Sequence, residues 1–145
     1  MRKYIFIVTS LLFLSSYSQS RKNTYFLIDR NDTLIKKQIA NQTNEYEGYR
    51  IIDERRIVTD IKRSESIDGD DITYETFASY SFSFNRKEDT IISKTYFDSL
   101  SIIKDRRKFL DTIKIENMFN LNYIFIEPKN CNKYILRKVE LLTFE

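Results

Sequence analysis

The stretch ITYETFASYSFSFNRKEDTIISKTYF, residues 72–97, decides the fold. Its first half alternates in hydropathy, and this period of two is typical of a long strand with one buried and one solvated face. The residues of the buried parity are Ile72, Tyr74, Ala78, Tyr80, Phe82 and Phe84. A polar run at 85–89 precedes a second β-rich segment at 90–97. The pattern therefore predicts a hairpin at the centre of a sheet.

Composition supports a folded, β-rich chain. The 145 residues are enough for one domain with its own core, and 41% hydrophobic with 14% aromatic residues argues against disorder. Alanine occurs only at Ala40 and Ala78, whereas β-branched residues are abundant, which favours strands. Two glycines and one proline leave Asn, Asp and Ser to make the turns.

The first 18 residues have the features of a secretory signal peptide. Arg2 and Lys3 precede the ten-residue, mainly apolar h-region IFIVTSLLFL, and Ser16 and Ser18 supply small side chains for cleavage. The apolar run is about half of the ~20 residues that span a bilayer. We therefore expect residues 1–18 to be a signal peptide and residues 19–145 a single β-rich globular domain. The domain would be exported to the periplasm or the extracellular space, with no transmembrane anchor after cleavage.

Before the central stretch the sequence predicts two further pairs of strands. Residues 24–40 have the pattern of a hairpin with turn residues at 30–32. Strands at 49–52 and 57–61 are separated by the charged residues 54–56, which predict a solvated turn. Asp68-Gly69 is a strong signal for a two-residue hairpin turn. It predicts an antiparallel meander of residues 57–67, 72–84 and 90–97.

After residue 97 the hydropathy period changes to that of a helix. Leu100, Ile103, Arg107 and Leu110 are three or four positions apart, which predicts a helix over 99–110 with Asp98 as its N-cap. Residues 111–121 fit either a strand and loop or a second short helix. The apolar run 123–126 predicts a buried strand, residues 127–133 a turn and 134–144 a closing strand.

These elements predict an α+β fold. We expect a twisted antiparallel sheet of about seven or eight strands with one helix packed on it near residue 105. The alternative is a small lipocalin-like β-barrel, in which the same aromatic face would surround a ligand.

The residue types exclude several chemistries. The chain has no His, which removes the usual general base and the Ser–His and Cys–His nucleophile pairs. One cysteine, Cys131, forms neither an intramolecular disulfide nor a Cys-based zinc site. Two glycines do not make a phosphate-binding loop. We therefore expect a protein that is not an enzyme, with no catalytic, cofactor-binding or metal-binding residues. A pair of carboxylates distant in sequence is left open.

Three local features have a functional and a structural interpretation. Cys131 is either a reactive thiol or a small turn residue. The acidic residues Asp68, Asp70 and Asp71 are either calcium ligands or a solvated turn. The basic run 104–108 is either a nucleic-acid contact or a solvated helix face, and near-equal numbers of basic and acidic residues, 22 and 21 after removal of the leader, argue against nucleic acid. The structural interpretation is the simpler one in each case.

The leader, with its Ser-rich end followed by Gln19, and the β-rich style resemble the uncharacterised small secreted proteins of Bacteroidota. The resemblance implies export and assigns no residue roles. The function we expect is a non-enzymatic binding or interaction module with a protein or cell-envelope partner. The alternative is a carrier of a small apolar ligand in a barrel cavity lined by Tyr80, Phe82 and Phe84.

Overall fold

The computed structural model describes residues 21–40, 46–62, 72–115 and 120–144. The predicted leader at 1–18 and the predicted Asp68-Gly69 turn lie outside these residues, as do the candidate calcium ligands Asp68, Asp70 and Asp71.

The described residues form one mixed sheet of eight strands. Its order is β2-β3-β4-β8-β7-β1-β6, and β5 pairs with another part of β8. Strand β1 runs parallel to β6 and β7, whereas the other pairs are antiparallel. The strands are β1 Lys22–Leu27, β2 Ile35–Gln38, β3 Glu47–Lys62, β4 Ile72–Phe84, β5 Thr90–Ser93, β6 Ile102–Ile103, β7 Leu121–Asn130 and β8 Lys133–Phe144. The helices are α1 Lys94–Ser99 and α2 Arg106–Ile115, with a short 3-10 helix at Arg86–Glu88.

The eight-stranded sheet confirms the predicted strand number, and most of its pairs are antiparallel as predicted. The described sheet is open, because β2 and β6 lie at its two ends and do not pair with each other. The alternative of a lipocalin-like barrel is therefore wrong. The parallel pairs of β1 and the helix α1 were not predicted.

The predicted first hairpin at 24–40 is wrong, although its turn exists. The Asp29 carboxylate accepts a hydrogen bond from the Asn31 backbone N–H, and the Asp32 carboxylate accepts one from Leu34. This turn carries the chain from β1 near one end of the sheet to β2 at the other end. The turn residues were identified correctly, but a turn does not say which strands pair.

The predicted hairpin of 72–84 with 90–97 is also wrong in its second half. β4 forms over the predicted residues, but β5 pairs with β8 instead of β4. The chain becomes helical after Ser93, whose hydroxyl accepts a hydrogen bond from the Tyr96 backbone N–H at 3.2 Å. This cap starts α1 and places the Phe97 ring on that of Tyr134, with centroids 3.9 Å apart.

The charged residues 54–56 do not form the predicted turn. β3 continues through them as one strand, and its pairing with β4 shifts from Asp53↔Ala78 to Ile57↔Phe77. Three residues of β3 therefore oppose none of β4, which is a large β-bulge. The bulge divides β3 into a first part, which lies between β2 and β4, and a second part, which pairs with β4.

The predicted helix over 99–110 starts seven residues too early. α2 begins at Arg106 after Asp105, whose carboxylate accepts a hydrogen bond from the Lys108 backbone N–H at 2.8 Å. Asp98 is therefore not its N-cap, and Leu100 and Ile103 precede the helix. α2 extends to Ile115, so the first part of the ambiguous segment 111–121 is helical, and Leu121 already belongs to β7.

The main core lies between α2 and one face of the sheet. Phe109 of α2 stacks on Phe26 of β1 with ring centroids 4.3 Å apart, and Phe125 of β7 meets both rings edge-on. The completely buried large residues of this core include Tyr49, Tyr80, Phe26, Phe82, Phe109, Phe125, Leu110 and Ile113. A smaller cluster under α1, with Ile92, Phe97 and Ile126, covers part of the opposite face.

Burial along the two predicted core strands follows the sequence only in part. In β4 the predicted buried residues Ala78, Tyr80, Phe82 and Phe84 are buried, but Ile72 and Tyr74 are exposed. Residues 123–126 of β7 are all buried, as predicted. The predicted turn at 127–133 is shorter, because β7 extends to Asn130 and β8 begins at Lys133.

Candidate functional site

The residues predicted to line a ligand cavity are instead packed in the core. The Phe82 ring lies 4.8 Å from Phe125 and 5.2 Å from Tyr123, measured between centroids. Tyr80 and Phe82 are almost completely buried, and Phe84 lies against the Tyr49 ring at 5.2 Å. Aromatic rings thus occupy the space that a carrier of an apolar ligand would need.

A buried polar cluster lies beside this core, around Glu127 of β7. Arg137 of β8 donates hydrogen bonds to the Glu127 carboxylate at 2.9 Å and to the Tyr49 hydroxyl at 2.7 Å. The Tyr49 hydroxyl donates to the same carboxylate, and the ammonium group of Lys37 lies 3.1 Å from it. Arg137 also contacts Asp89 at 3.1 Å. The cluster therefore joins β2, β3, β7 and β8.

The cluster holds its members in fixed protonation states. Burial acts to raise the pKa of Glu127, but the Tyr49 hydrogen bond and the charges of Arg137 and Lys37 outweigh it and lower the pKa. Burial raises the pKa of Tyr49 well above its ordinary value, and the neighbouring Glu127 carboxylate adds to the effect. A general acid or base needs a pKa near the working pH. The geometry is that of a buried ion pair between Glu127 and Arg137.

A second cluster attaches α2 to the bulge of β3. The fully buried Asp53 carboxylate lies 2.9 Å from Arg55 and 2.7 Å from Lys114 of α2. Burial acts to raise the pKa of Asp53, but these partners lower it to about 2. The hydrogen bond from Arg106 is the main reason that the pKa of Glu54 is also lowered to about 2.

The bulge residue Glu54 thus binds α2, a contact that the sequence did not predict. Arg106 contacts Glu54 at 2.5 Å and Asp32 at 2.9 Å, and donates to the Ile52 carbonyl at 2.7 Å. Arg107 contacts Glu54 at 2.6 Å. Two members of the basic run 104–108 therefore neutralise carboxylates of the same chain.

The other sequence candidates do not assemble into a site. Among the described residues, no three acidic or cysteine side chains come together as metal ligands would. Cys131 is exposed in the turn between β7 and β8.

The sheet has a two-stranded extension, which we name the β arm. It consists of residues 57–62 of β3 paired with residues 72–77 of β4. β2 pairs with β3 only up to Ile51, and β8 pairs with β4 only from Tyr80. Within the described part of the chain, the outer edges of both arm strands therefore have no neighbouring strand. Six residues per strand extend about 20 Å.

The β arm exposes large apolar side chains. Ile57 is 62% exposed, Ile72 51%, Tyr74 45% and Phe77 48%. Ile57 and Phe77 are direct cross-strand partners and so share a face. Tyr74 and Ile72 have the opposite parity in β4 and lie on the other face. Exposed apolar side chains that lie close together are a common feature of protein interaction surfaces.

No protein-family model matches this chain, and no curated protein or solved structure does either. Neither α1 nor α2 is long and apolar enough to cross a membrane.

An open cleft of about 960 Å³ lies along β7 and β8. Its charged lining residues are two basic and two acidic ones, Arg21, Lys138, Glu88 and Glu140. The lining also includes Tyr123, Leu141 and Phe84, and Phe84 is one of the residues predicted to line a ligand cavity. Because the charges are of both signs, they do not select a class of ligand.

Proposed function

We propose that this chain is an exported, non-enzymatic interaction protein that binds a protein partner of the cell envelope or its surroundings through the β arm. The observation that carries the proposal is the combination, on one element, of exposed apolar side chains with strand edges that no described strand covers. Export is supported by the features of residues 1–18 in the sequence.

The β arm is unfavourable as a two-stranded ribbon without a further strand. A two-stranded ribbon is marginally stable in water, and three or more strands are needed for independent stability. Each unpaired edge offers a row of backbone N–H and C=O groups to an extended segment. An added strand would supply hydrogen bonds to that row and cover Ile57, Phe77 or Tyr74. This is recognition by strand addition.

Binding is favoured over catalysis by the state of the buried ionisable groups. Asp53 and Glu127 have lowered pKa values and are held by cations. A carboxylic acid that donates protons near neutral pH needs a raised pKa. The two clusters stabilise the body that carries the β arm.

The experiment is photo-crosslinking from one defined position in the cells that make the protein. A photo-reactive amino acid replaces Phe77 in the β arm, and in a matched control it replaces Tyr96 of α1, which is also half exposed. We expect a discrete adduct from position 77 and none from position 96. Adding Ile57→Ser, which shortens the apolar side chain opposite position 77, should reduce the adduct.

Two results would contradict the proposal. One is the same set of adducts from positions 77 and 96, because contact would then not be specific to the β arm. The other is no adduct from position 77 in protein that is shown to be folded and exported.

A further inference from the structure

The end of the sheet at the β7–β8 turn brings together basic side chains from three separate parts of the chain. The backbone N–H of Lys94, the first residue of α1, donates to the Asn132 carbonyl of this turn at 2.9 Å. Arg30, in the turn after β1, donates to the Pro128 carbonyl at 2.6 Å. We name this surface the basic end and define it by four residues, Arg30, Lys94, Lys129 and Lys133.

The lysines of the basic end have no counter-charge of their own. Lys94, Lys129 and Lys133 are exposed, and within the described ranges no carboxylate lies within ion-pair distance of any of them. Arg30 lies 3.8 Å from Glu127, but 61% of its side chain is exposed. These residues therefore differ from the arginines at the start of α2, which are bound to carboxylates of the same chain.

The carboxylates nearby do not balance the basic end. Counted together with the cluster around Glu127, this part of the described structure has six basic side chains and three carboxylates, which leaves three positive charges. The basic residues are Arg30, Lys37, Lys94, Lys129, Lys133 and Arg137, and the acidic residues are Asp29, Asp89 and Glu127. Like charges this close repel one another, and a bound anionic partner offsets the repulsion.

We propose that the basic end binds the anionic phosphate groups at the surface of a phospholipid membrane. Three of its four residues are lysines, and a lysine ammonium is a compact, hydrated point charge without the fixed planar geometry of arginine. Such charges are attracted to the diffuse field of an anionic bilayer. Interfaces between proteins are, by contrast, enriched in arginine and depleted of lysine. The inference goes beyond the proposed function, since it uses no residue of the β arm.

The basic end and the β arm lie at opposite ends of the sheet. β8 pairs with β4 from Val139 to Phe144, and Phe144 lies opposite Tyr80, close to the β arm. Lys133 is the first residue of β8 and so lies at the other end of this strand. A chain bound through the basic end therefore directs the β arm away from the membrane, toward the aqueous compartment.

Binding by these charges alone is weak and depends on salt. Each lysine close to an anionic bilayer strengthens binding about fivefold. Four basic residues thus give reversible binding at about 1 mM lipid. Because the Debye length falls to about 3 Å in 1 M salt, we expect the binding to be lost at high ionic strength.

Co-sedimentation with lipid vesicles tests the proposal, using a chain that begins at Gln19. This chain keeps every residue that the structure describes and omits the apolar leader, which would itself bind lipid. At low salt we expect the protein to sediment with vesicles of phosphatidylglycerol and phosphatidylcholine. It should stay in solution with vesicles of phosphatidylcholine alone.

A triple variant removes the lysines of the basic end. Lys94→Gln, Lys129→Gln and Lys133→Gln together should lower the partition coefficient on anionic vesicles about a hundredfold. The three side chains are exposed, so the variant should keep the circular dichroism spectrum of the original chain.

A matched control removes three exposed lysines from other parts of the structure. Lys87→Gln, Lys108→Gln and Lys138→Gln make the same change in net charge. Since charges distant from the bilayer are screened, this variant should bind within about fivefold of the original chain.

Three results would overturn the membrane proposal: equal binding to neutral and anionic vesicles, no sedimentation at low salt, or equal loss of binding in the two triple variants. A photo-reactive residue at Asn132 tests for a protein at the same surface. A discrete protein adduct in cells, without vesicle binding, would assign the basic end to an acidic protein instead. Crosslinking from position 77 tests the β arm separately, so either proposal can fail alone.

Discussion

At the scale of single residues, the most informative feature is the ion pairing of buried carboxylates. Glu127 and Asp53 are buried; three basic side chains lie within ion-pair distance of Glu127 and two of Asp53. Removing one partner of such a pair leaves an uncompensated buried charge, which typically costs about 3–5 kcal/mol. The sequence did not predict either cluster. The partners of Glu127 are ten to 97 positions away, so no local pattern signals them.

The pKa of Asp53 leads to a prediction about acid stability. Its folded pKa of about 2 lies below the ordinary value of about 3.9. A carboxylate with a lowered pKa contributes stability that is present above its unfolded pKa and lost as the pH falls through the folded pKa. We expect the free energy of unfolding to fall between about pH 4 and pH 2, with Asp53 contributing about 2 kcal/mol of this change.

Urea unfolding across this pH range measures the effect. Asp53→Asn should lower stability at pH 6 and flatten the decrease toward pH 2. Asp98→Asn, at an exposed position of α1, is the control and should keep the wild-type slope. An unchanged slope in Asp53→Asn would show that its pKa is not lowered.

At the scale of elements, local sequence patterns predicted where strands form but not which strands pair with each other. β4 and the buried part of β7 formed where hydropathy predicted, because alternation and apolar runs are local properties. The charged residues 54–56 predict a turn by any local rule. They form a bulge because α2 supplies Arg106 and Arg107 to Glu54 and Lys114 to Asp53, contacts from more than 50 positions away.

The sequence did not predict the β arm either. The alternation of residues 72–84 predicts one buried face over the whole strand. Its first part is exposed because β8 pairs only with the second part. The length of the neighbouring strand decides this, and it is not encoded within β4.

The packing of α2 gives a prediction at this scale. Phe109 is completely buried, and its ring is stacked on Phe26. Phe109→Ala should cost about 3–5 kcal/mol, because it removes the ring and leaves a cavity between helix and sheet. Tyr96→Ala on the exposed side of α1 should cost less than about 1 kcal/mol. Chemical denaturation of both variants tests this, and equal costs would mean that α2 does not close the core.

At the scale of the whole molecule, the sequence predicts export. Intact-mass measurement of protein recovered outside the cytoplasm should show a chain that begins at Gln19, after loss of residues 1–18. Replacing Leu11 and Leu12 by lysine would interrupt the apolar run and should leave the full-length chain in the cytoplasm. Exported protein that retains residues 1–18 would contradict the signal-peptide prediction.

The fold class and the strand number were predictable because composition and turn residues reflect the whole chain. The mixed topology was not. β1 lies between β6 and β7, in parallel registers such as Phe26↔Phe125. Parallel pairing has no turn to mark it, since the connection passes through most of the molecule.

The position of β1 affects when the sheet can assemble during synthesis of the chain. Its described partner strands are β6 and β7, and Lys22 pairs with Leu121, 99 positions later. A ribosome has therefore synthesised most of the chain before the first strand can take its main partner. Contacts of such high sequence separation slow folding. β1 consequently stays without its described partners until synthesis is nearly complete, and the sheet reaches its full number of strands only after that point.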